Sequence, residues 1–131
     1  YYQQHGVPAD KLVLGVPFYG RGFQVTTQSG DGLYQPYSAP FDAGDWRHIK
    51  TAFLDQPGWQ RHWHPVAQSP WLYNAAERVF ISYEDPTSIG LRAEFARDRQ
   101  LRGVFTWELT GDDPQGSLLQ AMAAPFLPHA R

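Results

Sequence analysis

A chain of 131 residues with 42% hydrophobic and 18% charged side chains lies outside the disordered class, where low hydrophobicity accompanies high net charge, and its length suits one compact unit. The formal net charge is -2 and Lys11 and Lys50 are the only lysines, so no basic surface is available to neutralise phosphates and nucleic acid is not an expected partner. Without cysteine there is no disulfide, thiolate metal site or thiol nucleophile, and no apolar run approaches membrane-spanning length, so neither a metal, a cofactor nor a membrane is expected.

In chain order, residues 1–6 read as the end of a helix, with Gly6 as a left-handed terminator. Position 1 is not Met and no leader-like segment follows, so the expectation is a piece of a longer protein. Residues 12–19 form a nearly continuous apolar run, the pattern of a parallel-sheet strand buried on both faces, with Pro17 near its end because proline lacks a ladder donor. Residues 19–23 then leave the sheet, and residues 24–37, rich in Thr, Ser, Gly and Gln, suggest a loop or irregular hairpin.

Asp45 is placed to cap a helix over 46–54, where Trp46, Ile49, Ala52 and Phe53 share one stripe. Residues 58–65, 71–74 and 78–83 read as three short antiparallel strands. Asp85 followed by Pro86 marks the start of a helix to about Gln100. Residues 104–109 are again strand-like, and a last helix is expected from about Pro114 to Ala124. The fold class is therefore α+β, with a small antiparallel unit inside a strand, helix, strand, helix frame of the β/α barrel kind.

Aromatic residues reach 15%, with five Trp and seven Tyr. Two explanations stay open on composition: packing inside a small domain, or a cleft where indole and phenol rings stack on the flat C–H faces of sugar rings. His62 and His64 flank Trp63, and strand alternation puts both on one face, but spacing supplies no third metal ligand. A structural or exposed pair is the expectation.

The run Leu12-Val13-Leu14-Gly15-Val16-Pro17-Phe18-Tyr19-Gly20-Arg21 resembles the seventh barrel strand of family 18 glycoside hydrolases, the chitinases. Residues 80–85 through Gly103-Val104-Phe105-Thr106-Trp107-Glu108-Leu109-Thr110-Gly111-Asp112 are similar to the helix and eighth strand that follow. The resemblance implies three parts: residues 1–23 as barrel strand seven with the preceding helix end, 24–82 as the chitinase insertion subdomain, and 83–131 as helix seven, strand eight and helix eight of a TIM barrel. It also implies a secreted parent that hydrolyses β-linked N-acetylglucosamine polymers, with chitin or chito-oligosaccharide as partner. A non-catalytic chitin-binding lectin of the same fold, and a structural or interaction module, are the competing expectations.

The family's catalytic signature, Asp-x-x-Asp-x-Asp-x-Glu, has no match here: Asp42 and Asp45 have the first spacing, but Arg47 and Ile49 occupy the third Asp and Glu positions. Leaving-group protonation needs a positioned carboxylic acid, even where the substrate's N-acetyl oxygen acts as nucleophile, so no catalytic residue is assigned in this chain. The resemblance implies substrate contacts for Trp107, as the floor of the cleaved sugar, and for Tyr19 and Arg21 through hydroxyl and guanidinium donors, with a salt bridge as the other expectation for Arg21. Strand alternation points Glu108 away from Trp107, and Asp112 and Asp113 read as an N-cap and first-turn charge for the last helix. Trp46, Trp59, Trp63, Trp71 and Tyr73 belong to the inserted unit, some facing substrate and most forming its core. Two barrel strands without the others leave open edges, so the isolated chain is expected to self-associate, to exchange elements between copies, or to keep its barrel parts loosely ordered around a firmer inserted subdomain.

Overall fold

The computed structural model describes residues 1–128. Its strands are β1 (Val13–Pro17), β2 (Arg21–Val25), β3 (Tyr37–Phe41), β4 (Trp59–His64), β5 (Ser69–Asn74), β6 (Val79–Ser82) and β7 (Gly103–Trp107). The α-helices are α1 (Trp46–Ala52), α2 (Pro86–Asp98) and α3 (Ser117–Ala123). Strands β1 and β7 form a two-stranded parallel sheet, and the other five form an antiparallel sheet in the order β3-β2-β6-β5-β4. The chain thus leaves β1, builds the antiparallel unit, and returns through α2 to β7.

Local chemistry accounts for the helix starts. The Asp45 carboxylate accepts from the His48 N–H at 2.9 Å. Asp85 and Ser88 form a reciprocal capping box, with N–H to side-chain distances of 2.8 and 2.9 Å, and Pro86 occupies the first turn. Gly6, at φ 88°, ends a short 3-10 turn over Gln3–His5 as its sequence position suggests.

Side-chain alternation sorts the antiparallel sheet into two faces. Leu72 and Ile81 pair in register and join Trp46, Ile49, Ile89 and Leu118 in the main core, which extends to Val16 and Phe18 beside the parallel pair. Each fully buried aliphatic side chain there contributes about 1.5–3 kcal/mol relative to exposure. On the other face Trp71, Tyr73 and Val25 form a smaller cluster beneath the 26–36 loop, where the Trp71 indole N–H donates to the Asp31 carbonyl at 3.0 Å. Gly32 is required there: it has φ 80°, and a Cβ would lie 2.3 Å from the Tyr73 ring.

Three expectations need correction. Residues 19–23 leave the parallel sheet as expected, and 24–37 take the irregular-hairpin alternative, but Arg21–Val25 are already strand β2, which pairs with β3 and with the distant β6, so the antiparallel sheet begins at Arg21, ahead of residue 24. The apolar run of β1 is buried on one face only. Leu14, Val16 and Val104 pack inward beside α2 and α3, whereas Val13 is 48% and Phe105 55% exposed, because nothing among the described residues covers that side. The last helix starts at Ser117 and not at Pro114, since Gly116 takes a left-handed conformation (φ 68°) first.

Candidate functional site

The parallel pair ends in a cleft. In the β1–β7 register Gly15 lies opposite Phe105 and Pro17 opposite Trp107, so period-two alternation puts both aromatic rings on the uncovered face. Gly15 makes room for the first of them: a Cβ there would stand 2.8 Å from the Phe105 ring. Beyond Pro17 the chain is clamped, with the Phe18 N–H donating to the Trp107 carbonyl at 2.9 Å and the Phe18 carbonyl accepting from the Trp46 N–H at 2.8 Å. Tyr19 then bridges to Asp45, and the Gly20 N–H donates to the Gly44 carbonyl at 2.9 Å, which fixes where Tyr19 emerges.

The result is a cleft of ≈ 180 Å³ walled by Gly15, Val16, Pro17, Tyr19, Phe105 and Trp107. Trp107 is 69% exposed, so it is not the packing residue that a Trp in a strand commonly is. The Arg21 guanidinium carbon lies 5.2 Å from the centre of the Tyr19 ring, and Arg21 makes no ion pair among the described residues. Of the three residues singled out in the sequence, Trp107 and Tyr19 line one cleft, and Arg21 lies over the Tyr19 ring. Phe105 was missed by the sequence reading. Its signal was present, because it stands two residues before Trp107 on the same strand and so shares its face.

Arg21 also borders a larger cavity of ≈ 700 Å³, together with Phe23, Pro40, Phe41 and Asp42. The nearby carboxylates have structural work. The Asp42 side chain accepts from the Gly44 N–H at 3.1 Å, and Asp45 caps α1. Asp112 accepts from the N–H groups of Asp113, Leu118 and Leu119 at 2.8–3.1 Å, and Asp113 accepts from those of Gln115 and Ser117. Both bind the first turn of α3 across the Gly116 bend, so their helix-capping role stands with a shifted helix start.

Asp113 accepts further bonds from Lys50 at 2.7 Å, Ser117 at 2.6 Å and the Trp46 indole at 3.2 Å. Burial alone would raise its pKa, but the Lys50 and Ser117 bonds outweigh that and hold the carboxyl well below the usual range. An acid so firmly ionised has no proton to give at neutral pH. Glu108 is exposed and follows a cis Trp107–Glu108 peptide.

In the antiparallel unit Trp46, Trp71 and Tyr73 are core residues, Trp59 is half-buried against Phe53, and Trp63 is exposed. His62 and His64 do share a face. The first stacks on Trp71 with ring centres 5.0 Å apart, and the second bonds the Tyr34 hydroxyl at 2.9 Å and accepts from the Ala67 N–H at 3.0 Å. Both serve packing.

The family model for glycosyl hydrolases family 18 matches residues 1–112. The chain belongs to that family. Chitinase A1 of Niallia circulans is 40% identical over 82% of this chain, which spans 16% of that relative's length. Among solved structures, a family 18 N-acetylglucosaminidase from Paenibacillus barengoltzii is similar with TM-score 0.84 and 30% identity, over 94% of this chain and 36% of its own. A chitinase-like agglutinin from Robinia pseudoacacia is similar with TM-score 0.74 and 26% identity, over 94% and 34%. This family 18 chain therefore spans only 16–36% of these relatives' lengths, and the residues that the family model matches include the cleft at Trp107.

Proposed function

We propose that this chain supplies one side of the sugar cleft of a chitinase, with Trp107 as the stacking floor and Tyr19 and Arg21 as hydrogen-bond donors to the sugar. The observation that carries the reading is the exposure of Trp107 in one cleft with Tyr19, on a sheet face that it shares with Phe105 and that nothing among the described residues covers. An indole ring held flat and open binds the C–H face of a pyranose, and the phenol and guanidinium donors satisfy its hydroxyl and N-acetyl oxygens. In this reading β1 and β7 are two strands of a (β/α)8 barrel, with residues 1–20 and 83–131 as barrel parts. The intervening unit, expected over residues 24–82 on composition and extended at its start by β2 from Arg21, is the inserted subdomain. The parent acts outside the cell on β-1,4-linked N-acetylglucosamine polymers by substrate-assisted retention.

The catalytic acid is not in this chain. Asp112 and Asp113 hold the first turn of α3, Asp85 is paired with Arg61 and Ser88, and Glu84 lies 3.3 Å from Arg92, so each of these carboxylates has a structural partner among the described residues. Hydrolysis of a chromogenic chito-oligosaccharide tests this. The expected result is binding without turnover, with binding lost in Trp107→Ala; turnover abolished by Glu108→Gln would place the acid here after all. The likeness to the Robinia agglutinin favours a second reading, a sugar-binding lectin of the same fold, which the same assay on the longer protein separates by the presence or absence of turnover. The outer edges of β1 and β7 have no strand partner among the described residues, so the isolated chain is expected to self-associate, seen as a mass above the monomer in light scattering.

A further inference from the structure

Helix α1 belongs to the antiparallel unit but reaches the end of β7. Its Trp46 N–H donates to the Phe18 carbonyl, and the Phe18 N–H donates to the Trp107 carbonyl, so the helix start and the last residue of β7 meet through one residue. Trp46 and Lys50, one turn apart on α1, both donate to the Asp113 carboxylate. The segment between Trp107 and Asp113 is therefore held at both ends by the same helix.

The middle of that segment is open. Glu108, Leu109 and Thr110 are exposed, and the 3-10 turn over Leu109–Gly111 closes on itself, with the Gly111 N–H donating to the Glu108 carbonyl at 3.0 Å and the Asp112 N–H to the Leu109 carbonyl at 3.3 Å. Gly111 packs so closely that a Cβ would lie 2.8 Å from the Phe18 carbonyl oxygen and 3.0 Å from the Asp45 Cβ. Among the described residues one side chain from outside bonds the turn: the Arg47 guanidinium donates to the Thr110 carbonyl at 2.7 Å. The same guanidinium lies 3.5 Å from the Asp45 carboxylate, and Asp45 is the residue that bridges Tyr19. Arg47 thus stands between the supports of both aromatic walls, Asp45 behind Tyr19 and the 109–111 turn behind Trp107. Its planar fork offers several donors at fixed angles, and its charge strengthens a bond to a carbonyl.

We propose that Arg47 is a positioning residue: by holding the Thr110 carbonyl beside Asp45 it sets the Trp107 ring relative to Tyr19, and with it the width of the sugar cleft. This rests on the sugar-cleft reading above. Arg47 is not among the residues that wall the cleft, so it acts through Trp107 and not on the sugar. Its side chain is 53% exposed, so its contribution lies in placing the turn and not in burial.

Titration of chitotetraose into the unmodified chain, Arg47→Ala and Trp107→Ala, with the indole N–H resonances followed, tests the proposal. Arg47→Ala is expected to shift the Trp107 indole signal in the free chain, to leave that of Trp71 in place, and to weaken chitotetraose binding about fivefold, as for one hydrogen bond of ordinary net strength. An unmoved Trp107 signal or an unchanged affinity in Arg47→Ala, with binding still weakened in Trp107→Ala, would overturn the positioning role and leave the cleft reading standing. Movement of the Trp71 signal together with that of Trp107 would overturn it as well, because it marks a general loosening of the fold. If the unmodified chain binds no chitotetraose, or Trp107→Ala binds it undiminished, the cleft reading falls and the role of Arg47 with it.

Discussion

Trp46 and Trp107 are the same side chain in opposite circumstances. Trp46 is 4% exposed, its indole N–H is bonded to Asp113 and Ser117, and its ring is stacked 6.2 Å from Tyr83 at 11°. Trp107 is 69% exposed, on a two-stranded sheet whose outer face is bare among the described residues. The antiparallel unit uses its aromatic residues to hold itself together, whereas the end of the parallel pair presents its aromatic residues. Aromatic excess in this sequence therefore has two causes, and burial tells them apart.

The sharpest way to break this contrast is through the core. Ile81→Ala, at a side chain with no exposed surface, is expected to cost about 2–5 kcal/mol in chemical denaturation. A loss below 1 kcal/mol, roughly a surface effect, would mean that the sheet is not the stable part. Asp113→Ala follows at about 2 kcal/mol, because it removes the buried acceptor shared by the Lys50 ammonium, the Ser117 hydroxyl and the Trp46 indole. Since the Asp113 pKa is depressed on folding, its contribution is present above the ordinary carboxylate pKa of about 4 and is lost as pH falls through the folded value. The stability gap between the unmodified chain and Asp113→Asn should accordingly be constant from about pH 5 upward and narrow below about pH 4.

Asp85→Ala removes the cap of α2 and the partner of Arg61, for an expected loss of about 1–2 kcal/mol read from the thermal midpoint. Trp107→Ala is the smallest, within about 0.5 kcal/mol of the unmodified chain, because little of its surface is buried. A large loss there would make Trp107 a structural residue and erase the distinction.

What the sequence disclosed was local. The Asp45 and Asp85 caps, the Gly6 terminator and strands β4, β5 and β6 depend on residues within a few positions of one another, and each is legible in its own segment. Strand β2 is not, because its identity comes from pairing Arg21 with Ser82, and the ladder partner is remote in the chain. The start of α3 is obscured in a related way: Asp112 reaches past Gly116 to the N–H groups of Leu118 and Leu119, so the capping residue precedes the helix by more than the usual spacing. Family resemblance placed Trp107, Tyr19 and Arg21, and the structure sets the first two in one cleft with Arg21 over the Tyr19 ring. Phe105 needed the register, since facing is a property of the ladder as well as of residue type.

The most direct measurement is the nuclear magnetic resonance signal of the Trp107 indole N–H, assigned by its loss in Trp107→Phe, followed as chitotetraose is titrated into the chain. A saturable shift at Trp107, with the Trp46 and Trp71 indole signals unmoved, is the predicted result. An unmoved Trp107 signal, or shifts confined to the buried indoles, would contradict a sugar cleft at the end of the parallel pair.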